Sequence, residues 1–173
     1  SIPGDSFKPG DMVRWSVGAL DANGQGSRDP LFPYPTDSPE YYGTVVQDPA
    51  LDTALPVFHW FVQNVAASET RTGTRGALYA LGRFYDNVEI AIRGGSTANL
   101  PKRHFKFWAN HGAKFLVREG MPPVDEFRLN STYSDKAALR QALAFEAYDW
   151  CGCPGSESFP VRAQRNGQFY GVQ

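Results

Sequence analysis

Apolar and polar side chains alternate with a period of two through much of this chain, which predicts strands rather than helices. Residues 12–20 alternate Met12, Arg14 and Ser16 against Val13, Trp15 and Val17, between turns at 7–11 (FKPGD) and 21–24 (DANG); they read as one edge strand. The run 55–65 (LPVFHWFVQNV) is the most apolar in the chain, and its β-branched and aromatic content with Pro56 argues for a buried strand. His59 within it reads as a core or edge histidine rather than a ligand. Residues 77–84 and 88–93 predict two strands joined by a turn at Tyr85-Asp86-Asn87. Further strands are expected at 102–108, 114–118 and 125–130. A closing hairpin, 159–165 with 168–172, turns across Asn166-Gly167.

One segment has helical spacing. Ser134 is a suitable N-cap, Asp135 suits the positive helix end, and Leu139, Leu143, Ala147 and Trp150 share a face before Cys151-Gly152 and Pro154 end it. The fold class is therefore α+β: a mostly antiparallel sheet with one main helix laid on it. Residues 28–50 differ from both, with Pro30, Pro33, Pro35, Pro39 and Pro49 between Tyr34, Tyr41 and Tyr42, and read as an extended linker packed by its aromatics. The organisation expected is a β-sandwich tail at 1–27, this linker at 28–50, and a main unit at 51–173.

Composition narrows the function classes. The 173 residues include 14% aromatics, 17 Gly and 13 Pro. That mixture favours turn-rich β structure. A net charge of −1 gives no electrostatic case for nucleic acid or an anionic membrane. No apolar run approaches the roughly 18 residues of a membrane span, and the Ser1 start carries no signal peptide and suggests a processed or excised chain. Cys151 and Cys153, in Cys-Gly-Cys-Pro, lack the second ligand pair of a metal site, because His59, His104 and His111 fall at no ligand spacing. Both free thiols and a strained bond between them are open readings.

The candidate chemistry lies in 93–108 (RGGSTANLPKRHFKFW). A strand leads into Gly94-Gly95-Ser96-Thr97, passes Pro101 and enters a basic, aromatic strand. Glycines let backbone N–H groups approach an anion and a strand lysine adds a point charge, which is how a phosphate-holding loop is built. A surface hairpin with a lysine-blunted edge is the plainer alternative.

Four segments together carry a resemblance: PVFHWFVQN, GRFYDNVEIAIRGGSTANLPKRHFKFW, EFRLNSTYSDKAALRQALAFEAY and FPVRAQRNGQFYGV. From residue 55 to 173 the chain resembles the N-terminal half of the spore-coat-protein-H-like (CotH) kinase domain. Residues 11–50 look like the end of an immunoglobulin-like module, of the kind that precedes this domain in large secreted multidomain proteins. The resemblance implies an atypical secreted protein kinase using ATP and Mg²⁺, at an extracellular or cell-surface location. Arg93, Gly94, Gly95 and Ser96 match the family's R-G-x-S/T turn over the phosphates. Lys102 matches its P-K strand start, and Lys106 its strand lysine for the α/β-phosphates. Asn130, Asp135, Arg140 and Glu146 fall on the matching strand–helix segment, with Glu146 the candidate partner for a lysine–glutamate pair. Arg103 and His104 depart from the lysine and serine usual there.

The carboxylates that hold Mg²⁺ and orient the attacking hydroxyl belong to the family's second lobe and match no segment here, so no catalytic residue is expected and no phosphate transfer. The competing reading is a structural or adhesive module that contacts other domains of the same polypeptide or assembly, with self-association favoured by apolar surface left where a second lobe would sit. A lectin-like role would rest only on Trp60, Trp108 and Trp150, which are more simply core residues.

Overall fold

The computed structural model describes residues 6–135 and 137–173. Ser1, on which the reading of a processed chain rests, lies outside the described residues. The elements are β1 (Met12–Trp15), β2 (Val17–Leu20), β3 (Gly26–Asp29), β4 (Tyr42–Val45), β5 (Val57–Val62), α1 (Val65–Ser68), β6 (Thr74–Ala80), β7 (Arg83–Arg93), β8 (His104–Trp108), β9 (Glu126–Leu129), α2 (Arg140–Trp150), β10 (Arg162–Arg165) and β11 (Gln168–Val172). Strands β5 to β11 build a seven-stranded sheet in the order β11-β10-β5-β6-β7-β8-β9. Every neighbouring pair is antiparallel except β10 with β5. The α+β class holds.

The sheet is strongly curled. Strands β8 and β11 stand five places apart, about 24 Å in a flat sheet, yet the Phe105 and Tyr170 rings meet edge-on at 5.8 Å. The Arg103 amide also donates to the Tyr170 hydroxyl at 3.1 Å. The concave face is filled by its own aromatics: Trp60 and Phe105 at 4.6 Å, and Phe107 stacked on Phe127 at 4.8 Å. Phe58, Phe115, Leu78 and Ile90 complete the buried core. Trp60, read as core, is fully buried.

Several expected elements are corrected. The strand expected at 12–20 is two, broken at Ser16: β1 pairs with β4 and β2 with β3, so the proline-rich segment supplies strands of its own. The turn is not at Tyr85-Asp86-Asn87. Leu81 and Gly82, both at positive φ, close the β6–β7 hairpin. That doubly left-handed conformation suits a two-residue loop. Asp86 and Asn87 instead lie inside β7 and hold the 35–41 segment. The Asp86 carboxylate accepts the Glu40 and Tyr41 amides, and the Asn87 amide donates to the Pro35 and Ser38 carbonyls. Residues 114–118 make only an isolated bridge, Phe115 with Val124.

The helix begins at Arg140 rather than beside Ser134. Ala138, at positive φ, interrupts the segment. The Asp135 carboxylate accepts the Ala137 and Arg140 amides in place of a serine cap. Nor is α2 laid on the sheet. None of its residues is buried, and Leu143, Tyr148 and Trp150 are exposed, because the concave face it would cover is already occupied by the sheet's own rings.

Candidate functional site

Register fixes which side chains share a face. Phe105 and Phe107 point into the core, so His104, Lys106 and Trp108, alternating with them, lie on the outer face of β8. Arg93 stands opposite His104 on β7, while Arg128 stands opposite Lys106 and Glu126 opposite Trp108 on β9. The outer face beside the glycine turn is thus a charged strip.

Gly94 (φ +97°) leaves β7 in a conformation that glycine tolerates, and a Cβ there would collide with the Thr97 hydroxyl. A short 3-10 turn, Ser96–Asn99, follows, and no side chain caps the N–H groups at its head. Arg71, in the polar connection after α1, donates to the Gly94 carbonyl at 2.7 Å. Arg93 donates to Asn130 Oδ1 at 2.7 Å, tying the end of β7 to the end of β9. His104 Nδ1 accepts the Ser131 amide at 3.0 Å, which requires that nitrogen to be unprotonated. Burial first, and then the Arg93 charge, hold His104 below the ordinary histidine range.

Lys102 lies in the lead-in to β8, and its ammonium donates to the Val172 carbonyl, which also accepts from Thr132 Oγ1 at 3.3 Å. Gly171 leaves room for this lysine, since a Cβ there would strike its Nζ and Cε. Burial lowers the Lys102 ammonium below the ordinary lysine range. Arg103 and Arg165 share Glu69, at 3.5 and 2.7 Å. The charge balance follows. Glu69 compensates two of these cations, whereas Arg71, Arg93 and Lys102 bind only neutral oxygens, of Gly94, Asn130 and Val172. Among the described residues none of these three cations has a carboxylate within ion-pair distance, and Glu126 acts on Arg93 only at longer range, so the glycine turn and the end of β11 carry a net positive field.

The remaining predicted residues divide. Lys106 lies on the same outer face but is engaged: Glu126 binds its ammonium at 2.6 Å, and the Trp108 ring lies under it at 4.1 Å. The Lys106 hydrogen bond is the main cause holding the Glu126 carboxyl below its ordinary range. Glu146 is exposed on α2 and makes no ion pair among the described residues, whereas Lys106 pairs with Glu126. Asp135 and Arg140 pair with each other at 3.5 Å. Gly95 and Ser96 are exposed in the turn. Trp108 is a partner of Lys106, and Trp150 is 87% exposed, so neither is the core residue expected. Sequence reasoning missed Arg71 and Glu69. Their only signal was a cluster of charge in the 68–76 connection (SETRTGTRG).

The described residues contain no group of three or more His, Cys, Asp or Glu that could hold a metal ion. No helix among them is long and apolar enough to cross a membrane.

Residues 90–172 match the family model described as CotH kinase protein. The match runs from within β7 through the glycine turn, Lys102, Lys106, β9 and α2 to the end of β11, and so covers every predicted site residue. No curated protein matches the chain.

Proposed function

We propose that this chain is the nucleotide-phosphate-binding portion of a CotH-like atypical kinase, with the Arg93-Gly94-Gly95-Ser96 turn receiving the phosphates of ATP. The observation that carries the reading is that Arg71, Arg93 and Lys102 bind neutral oxygens and contact no carboxylate among the described residues. Guanidinium and ammonium groups bound to neutral oxygens retain most of their attraction for a polyphosphate. Lys106 is the second lysine of the site, released to a phosphate when Glu126 turns to Arg128, which already donates to it at 3.1 Å. The family resemblance puts the Mg²⁺ ligands and the carboxylate that orients the acceptor hydroxyl in a second lobe, so the role proposed for this portion is nucleotide binding. An extracellular or cell-surface location, with an immunoglobulin-like unit formed by the N-terminal strands, completes the proposal.

Titration of the chain with ATP at low and high salt tests it. Binding should weaken steeply with salt, and Arg93→Ala and Lys102→Ala should each weaken it about tenfold or more, the scale of one lost charge-assisted contact. Lys106→Ala should weaken it less. Wild-type binding that none of these variants changes would overturn the site.

A second reading, a structural or adhesive module, is favoured by Leu20, Leu31 and Trp150, which are 79%, 72% and 87% exposed. Concentration-dependent sedimentation that Trp150→Ser and Leu20→Ser abolish, with no measurable ATP binding, would select it.

A further inference from the structure

Helix α2 ends in two thiols that the nucleotide reading leaves unused. Cys151 and Cys153 are both free and exposed. The Cys151 amide still donates back to the Ala147 carbonyl at 3.1 Å, Gly152 donates to Asp149 at 2.9 Å, and Cys153 donates to Tyr148 at 2.9 Å. These bonds hold the Cys-Gly-Cys turn against the last turn of the helix. Gly152 sits at positive φ, which reverses the chain after Cys151. The reversal brings Cys153 Sγ to 4.0 Å from the Cys151 carbonyl oxygen. Cα atoms two residues apart are separated by at most about 7 Å, at the outer limit of disulfide geometry and shorter in a reversed turn. The segment after the turn runs back beside the helix, where the Gly155 Cα faces the Phe145 carbonyl and the Tyr148 side chain. A cavity of about 260 Å³, lined among others by Phe145, Glu146, Asp149 and Glu157, lies between them.

We propose that Cys151 and Cys153 form a reversible dithiol–disulfide site, oxidised by exchange with a small disulfide such as oxidised glutathione. One thiolate attacks a glutathione sulfur; the glutathione S–S bond breaks, a mixed disulfide forms and one glutathione thiolate leaves. The second thiolate attacks the protein sulfur of that mixed disulfide, forming the Cys151–Cys153 bond and expelling the second glutathione. The chain loses two protons and two electrons, and one oxidised glutathione becomes two reduced ones, which take up both protons. Only a glycine lies between the thiols. The second step is therefore intramolecular at high effective concentration, while the small strained ring keeps the bond readily reducible. Closing it restrains the Cys151-Gly152-Cys153 turn, whose three amides are bonded to the last turn of α2.

The test is equilibration of the full chain with oxidised glutathione, followed by acid quench and intact-mass measurement. The wild type should become a monomer two hydrogens lighter, restored by reduced glutathione, whereas Cys151→Ser and Cys153→Ser should each stop at a single glutathione adduct. A parallel hydrogen-exchange measurement should show slower exchange in the last turn of α2 after oxidation. A wild type that accumulates stable adducts, or forms only disulfide-linked dimers, would overturn the proposal. So would an oxidised species whose α2 exchange is unchanged.

Discussion

Replacing Asp86 measures how firmly the N-terminal ladder is fastened to the seven-stranded sheet. Its buried carboxylate accepts the Glu40 amide at 2.8 Å and the Tyr41 amide at 2.9 Å, both on Oδ2, while Oδ1 lies 3.9 Å from Arg14 Nη1. Asp86→Ala strands two backbone N–H groups in a partly buried place, at about 1–3 kcal/mol each, and so costs about 2–5 kcal/mol. The Arg14 contact adds less than about 1 kcal/mol, because that side chain is 44% exposed and the contact is long. Asp86→Asn separates geometry from charge. Its amide oxygen can occupy the Oδ2 position and keep both bonds at neutral strength, for a loss of about 1–2 kcal/mol. With a urea slope of about 2 kcal/mol per molar, the alanine midpoint should fall by about 1–2.5 M and the asparagine midpoint by about half a molar to one. Limited proteolysis should open the 30–41 segment first in the alanine variant. An alanine variant within about 0.5 kcal/mol of wild type, or two variants equally destabilised, would refute the argument.

Three further outcomes follow from the same geometry. His104 and His59 are both held below the ordinary value of 6.5, chiefly by burial. As pH falls through about 6.5 the unfolded chain takes up these protons first, so stability is full above that pH and declines below it. His104→Asn, whose oxygen can still accept the Ser131 amide, should flatten the decline between about pH 7.5 and 5 in chemical denaturation. Gly94→Ala forces a left-handed residue against Thr97 and should cost about 1–2 kcal/mol while weakening ATP binding. Gly95→Ala, whose Cβ meets no neighbour, should leave both nearly unchanged in paired melts and titrations. Phe105→Ala empties the space between Trp60 and Tyr170 and should cost about 3–5 kcal/mol, with loss of the near-UV circular dichroism of those rings.

What the sequence made legible was what local period and turn chemistry dictate. The apolar run of β5, the alternation in β7 and β8 and the Asn166-Gly167 hairpin arise from neighbours in the chain, and the structure has them. The misplaced features depend on partners distant in sequence. Tyr85-Asp86-Asn87 looks like a turn because its polar side chains suit one, yet Asp86 and Asn87 bind amides and carbonyls some fifty positions earlier and the Tyr85 hydroxyl accepts the Leu116 amide. Leu81-Gly82 was hidden because a leucine at positive φ carries no sequence signal. The helix face Leu139, Leu143, Ala147, Trp150 was correctly apolar, but its burial required a surface the curled sheet had filled with its own aromatics. The same logic governs the candidate site. The glycine turn and its lysines were visible as a motif, whereas the charge balance was set by Glu69 choosing Arg103 and Arg165, which leaves Arg71, Arg93 and Lys102 to neutral oxygens. If that balance is what attracts the anion, Glu69→Gln should strengthen ATP binding by freeing two more cations, although it removes both ion pairs that Glu69 makes. A motif acting through backbone geometry alone would show no such gain.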